Sequence, residues 1–190
     1  PPGVPLLAAA AQAVAGGDLD LGVSLLRAAY VGLFVLSLAA FGSFLEAQGG
    51  HARRLAPLAV AALALSPWFL DFQQIPMSEV PALACVIGAM LHLARRKSHE
   101  RWRDAAVLAL LCFAATCFRT VAASAAGATL VYLLATRQRA AALRFAALYA
   151  PLALGLQLFM HLHAQPAAGF EDITVYGRSY SGLLAENLGN

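Results

Sequence analysis

Charge is what this sequence has least of. Asp, Glu, Lys and Arg make up 12% of its 190 residues, where a soluble domain carries about a quarter. Apolar residues fill 61%, and the mean hydropathy is +0.69. This balance points away from a soluble fold and toward helices in lipid, where every backbone polar group must be paired within its own segment. Cysteine is also scarce. Cys85, Cys112 and Cys117 sit inside apolar runs, with no CxxC pair and no Cys/His cluster. That excludes a disulfide framework and zinc, and the three read as small buried hydrophobes. No Ser/His/Asp triad, P-loop, dinucleotide fingerprint or phosphate-cradling glycine loop is present. There is no initiator Met and no basic leader, so no signal peptide is visible and the chain reads as the interior of a longer protein.

What is present is a series of apolar runs at about 22–45, 55–70, 79–94, 105–118, 120–136 and 143–162. A bilayer core takes roughly 20 apolar residues per helix, and only the first and last runs meet that comfortably. The expectation is an all-α, polytopic membrane helix bundle with about six transmembrane helices across 1–163, and a polar outer segment from 164 to 190. The opening stretch VPLLAAAAQAVAG is too short to cross and reads as a helix lying in the outer interface.

The basic residues set the sidedness. Arg53 and Arg54, then Arg95, Arg96, Lys97, Arg101 and Arg103, then Arg137, Arg139 and Arg144 fall in short stretches between runs. Under the positive-inside rule these stretches are cytoplasmic. The net charge of +3 therefore reads as loop charge facing the cytoplasm, not as a nucleic-acid surface. Asp18, Asp20, Asp71, Glu79, Glu171, Asp172 and Glu186 mark the outer ends. The alternation closes only if the chain turns back at Phe118-Arg119-Thr120, so that 104–137 forms two short spans.

Within this frame LDFQQIPMSEVPAL, residues 70–83, is an outer loop. Pro67 and Pro81 punctuate helix ends, and Ser78 is placed to cap the next helix, with Glu79 favoured at its start. Alternatively, Asp71 and Glu79 line an outward polar cavity that binds a sugar hydroxyl or a divalent metal. Arg119 is the sharper candidate. It is an ionisable residue at an outer turn between apolar helices, where a guanidinium suits a phosphate; the competing reading is simple snorkelling. Arg27 lies near the same outer boundary, able to hold the turn or face the cavity. Tyr176, Arg178 and Tyr180 form a polar aromatic group in the last segment, either a site or an ordinary surface loop. His161 and His163 are two apart and face different ways on a helix, which argues against a shared metal. His92 reads as an interfacial residue.

PPGVPLL at 1–7, Leu26-Arg27, SPWFLDFQQIPMSEVPAL and FRTVAAS, in that order, resemble motifs of the GT-C superfamily of integral-membrane glycosyltransferases. The similarity is to the bacterial protein O-mannosyltransferase and aminoarabinose-transferase-like branch. The resemblance implies transfer of a sugar from a polyprenyl-phosphate donor to an acceptor (protein, lipid A or glycan) at the periplasmic face of a bacterial inner membrane. It implies that an Arg holds the donor phosphate, with Arg119, Glu79, Asp71, Arg27 and Tyr180 as donor- or substrate-binding positions. A carboxylate would act as general base. It also places the principal catalytic Asp upstream of Pro1, so the chain by itself is expected to be inactive. No cofactor is required by this reading beyond an optional divalent metal. The alternative is a transporter or flippase-like protein for an anionic or lipid-linked substrate.

Overall fold

A computed structural model of the chain describes residues 2–66, 78–96, 99, 101–163, 174–175 and 178–179. Among these, seven α-helices account for almost all of the structure. They are α1 (Gly3–Val14), α2 (Leu19–Gln48), α3 (Gly50–Ala64), α4 (Glu79–Arg95), α5 (Trp102–Phe118), α6 (Ala123–Ala135) and α7 (Arg139–His163), with a 3-10 turn at Thr120–Ala122 leading into α6. The apolar runs read from the sequence overlap these helices, although α3 begins five residues before its run and ends at Ala64, and 67–70 of that run lie outside the described residues. One small β pairing, Thr174–Val175 with Arg178–Ser179, lies in a separate compact unit that begins at Leu156.

Each boundary has a local cause. Asp18 adopts extended backbone and its carboxylate accepts the Leu21 N–H at 3.1 Å, capping α2. The turn from α2 to α3 is made by Gly49 and Gly50 alone, both at positive φ, a conformation glycine adopts without a Cβ penalty. Arg53 and Arg54 therefore belong to the first turn of α3 and not to a loop before it. Pro81 sits in the first turn of α4, where its missing N–H breaks no helical bond. Ser78 does not act as the expected cap. Its backbone is already helical (φ −68°, ψ −16°), so its hydroxyl turns to Glu79 Oε2 at 3.4 Å.

The helices stack as successive hairpins. Gly42 faces Val60 across the α2–α3 pair, and Gly88 faces Leu111 across α4–α5. Cys112 Sγ lies 3.7 Å from Thr129 Oγ1 across α5–α6. α2 and α4 run parallel, since Tyr30 packs on Val80 while Phe44 shares a cavity wall with Met90 farther along. Two apolar clusters result. One is built on Leu108, Cys112, Leu133 and Phe145, the other on Tyr30, Phe34 and Val80. All three cysteines are free; Cys112 is buried and the others are half-buried.

The expected interfacial helix has a defined partner. Leu7 packs against the Tyr30–Phe34 cluster, and farther along α1 the Gln12 side chain lies against Gly22, so α1 folds back antiparallel on α2. Gly3 abuts the Phe118 ring and the Cys117 carbonyl at the far end of α5.

α2 and the stretch Arg139–Leu162 of α7 are long and apolar enough to cross a membrane. Their most apolar windows are only 17% and 11% buried, whereas the core helix of a soluble domain is mostly covered. Large side chains such as Leu36, Leu58, Leu110, Val131 and Leu154 point outward. An apolar exterior of this extent marks a surface made for contact with apolar material.

Candidate functional site

α4 begins and α5 ends at the same edge of the antiparallel α4–α5 pair, and each carries a charge suited to its end. Glu79 occupies the first turn of α4, where the helix dipole favours an anion. Arg119 is the residue at which α5 stops, where a cation is favoured. The two charges meet. Arg119 Nη1 donates to Glu79 Oε1 at 2.6 Å, across forty positions of sequence. The side chains are 47% and 32% exposed, so the pair is neither sealed nor free in solvent. Its contribution to stability is that of a partly exposed ion pair, about 0.2–1 kcal/mol. The remaining guanidinium donors have no partner among the described residues.

A residue that no motif singles out packs against the first turn of α4. Tyr30 is 1% exposed, packed with Val80, and its hydroxyl is buried without a hydrogen-bond partner among the described residues. Tyr30 also fixes the depth of the pair. It lies twelve residues along α2 from the Asp18 cap, about 18 Å at 1.5 Å per residue. The pair is therefore level with the start of α1, where Gly3 abuts Phe118, and not with the tip of the α1–α2 hairpin.

The other positions proposed from the sequence separate. Arg27 is exposed and forms no ion pair among the described residues. Asp71, Tyr176 and Tyr180 lie outside the described residues, and Arg178 is described by its backbone pairing alone. No group of three His, Cys, Asp or Glu side chains able to hold a metal occurs among the described residues. Asp18 is a helix cap.

A second polar cluster, at the opposite ends of the same helices, was not foreseen. Asp104 is buried in the first turn of α5, with Oδ1 2.8 Å from Arg96 Nη1 and 3.4 Å from His92 Nε2. Buried His99 directs its backbone N–H and its ring Nδ1 to Gln138 Oε1, at 2.9 and 3.0 Å. Arg137, beside Gln138, takes a positive φ of 61° to make this turn. His92 is thus part of a polar clasp, not a lone interfacial residue.

Between α2, α4 and α6 there is an apolar cavity of about 460 Å³ lined by Phe44, Val86, Met90, Leu93, Thr129 and Tyr132 among others. It starts near Val86, seven residues along α4 from Glu79, or about 10 Å.

Comparisons of the chain with protein-family models, curated proteins and solved structures gave no match.

Proposed function

We propose that this chain is the membrane-embedded part of a glycosyltransferase that takes a sugar from a polyprenyl-phosphate donor, and that Arg119 and Glu79 form its donor-phosphate site. In this reading the helices span a bacterial inner membrane in six passes, with the pair on the periplasmic side and the basic turns in the cytoplasm. The sugar-linked phosphate would meet the free donors of Arg119, a planar fork matched to phosphate oxygens. Glu79, beside it, would accept a hydrogen bond from a sugar hydroxyl.

The observation that carries this reading is the 2.6 Å contact between Arg119 and Glu79. These residues were singled out separately, one for its charge at an outer turn and the other for its place in an acidic loop. Two further features support it. The pair is recessed and half-open, as a site for a lipid headgroup must be. The apolar cavity about 10 Å away along α4 offers space for part of a lipid tail.

The test is direct binding of an isoprenyl monophosphate, such as farnesyl phosphate, to the full chain in nanodiscs. Losing a charge-assisted contact of about 1.5–3 kcal/mol should weaken binding roughly ten- to hundredfold in Arg119→Ala, with Arg119→Lys intermediate. Equal binding by both variants and wild type would make Arg119 a structural partner of Glu79 and nothing more.

A further inference from the structure

We propose that Tyr30 is a positioning residue of the same site: when a phosphate engages Arg119, the Glu79 carboxylate leaves the guanidinium and accepts a hydrogen bond from the buried Tyr30 hydroxyl. The proposal rests on the reading of Arg119 as a phosphate ligand and adds the fate of the carboxylate now bound to it.

A buried hydroxyl without a partner costs free energy, which is why nearly all buried polar groups are hydrogen-bonded. Tyr30 is 1% exposed and its hydroxyl has neither acceptor nor donor among the described residues. An unpartnered phenol in an apolar cluster is normally replaced at no cost by Phe. Here the Tyr30 side chain packs with Val80, next in sequence to Glu79, and that carboxylate is near enough to bear on the buried phenol.

The second half concerns charge. Glu79 now holds Arg119, and a phosphate arriving at the same guanidinium brings a second anion to the N-terminal turn of α4. The phosphate enters on the free donors of the guanidinium, and its repulsion of the neighbouring carboxylate then loosens the hold of Glu79 on Arg119. Ser78, at 3.4 Å from Oε2, already makes the only other side-chain contact to the carboxylate among the described residues. A displaced carboxylate needs a new donor, and Tyr30 supplies one that nothing else uses. No bond is made or broken beyond hydrogen bonds, and the phenol keeps its proton. Tyr30 thus lowers the cost of vacating Arg119, and the ligand-free and ligand-bound states each satisfy Glu79 with a different partner.

The experiment compares wild type with Tyr30→Phe, in wild-type and Glu79→Gln backgrounds, using inorganic phosphate and farnesyl monophosphate as separate probes. Without ligand, Tyr30→Phe should be as stable as wild type or slightly more so, because the lost hydroxyl had no partner. With ligand, it should weaken binding of both probes about tenfold, the loss of one hydrogen bond to a charged group. In the Glu79→Gln background the loss should shrink to less than threefold. Wild-type binding that Tyr30→Phe leaves unchanged overturns the exchange and leaves the phosphate reading standing. An effect confined to farnesyl monophosphate also overturns it, because it would trace to the lipid tail. If wild type binds neither probe, the phosphate reading itself fails, and the exchange with it.

Discussion

His99 turns both its backbone N–H and a ring nitrogen toward the side-chain carbonyl of Gln138, at 2.9 and 3.0 Å. This bond ties the turn after α4 to the turn before α7, so these two basic stretches sit at one end of the helices. Arg119 lies at the other end, where α5 stops and the chain reverses through Thr120–Ala122. If the helices cross a bilayer as the charge pattern requires, single cysteines at positions 53 and 139 should react only from the cytoplasmic side, and one at 119 only from outside. Labelling of position 119 from inside would remove the hairpin between α5 and α6 as a pair of spans.

The Asp104 clasp predicts an unequal pair of mutants. Asp104 is almost wholly buried, its side chain 3% exposed, while that of Arg96 is 49% exposed. Arg96→Ala leaves a buried carboxylate with, among the described residues, His92 beside it. Asp104→Ala leaves a half-exposed guanidinium that water can solvate. We expect Asp104→Ala to cost about 1.5–3 kcal/mol, the worth of a hydrogen bond to a charged group, and Arg96→Ala to cost more, approaching the loss from breaking a buried pair. Equilibrium unfolding in mixed micelles gives the order. A milder Arg96→Ala would show that Asp104 finds another partner.

Two glycines should respond in opposite directions. A Cβ at Gly3 would overlap the Phe118 ring and come within 2.9 Å of the Cys117 carbonyl. The ring can rotate, but the carbonyl belongs to α5 and cannot yield cheaply. Gly3→Ala should therefore destabilise the packing of α1 by about 1–3 kcal/mol, as overpacking does. Gly32 in α2 has open space where its Cβ would go, and Gly32→Ala should stabilise by about 0.5–1 kcal/mol by restricting the unfolded chain. The same unfolding measurement, with limited proteolysis of α1, distinguishes the two.

The helices were legible because apolar runs here end abruptly, at arginines, prolines or paired glycines, and hydropathy sees such edges. The reversal at Arg119 was legible from charge, since no other path keeps both neighbouring basic stretches on one side. Partners were harder to see. Asp104 stands directly after Arg103 and reads as one more solvated loop charge, yet α5 has already begun at Trp102 and turns that side chain inward. Tyr30 is one aromatic in a long apolar run, and only its packing against Val80 gives it meaning. The seating of α1 against the end of α5 depends on Gly3 allowing close approach to the Cys117 carbonyl, a steric fact that helix length and apolarity do not carry. Ser78 misled because capping requires extended backbone, and its own is helical.

The central claim is that the Arg119–Glu79 contact is a ligand site as well as a bridge between two helix ends. The exchange of the two residues separates these roles. In Glu79→Arg/Arg119→Glu the ion pair can re-form, although each charge then opposes its helix dipole by about 0.3–1 kcal/mol. Stability should return to within about 1–2 kcal/mol of wild type, relative to either single reversal. Affinity for farnesyl monophosphate, measured on the same preparation, should remain at least tenfold below wild type, because the guanidinium now occupies the start of α4 and no longer the turn after α5. Recovery of both stability and affinity would contradict the account, and so would affinity that never changed in either single reversal.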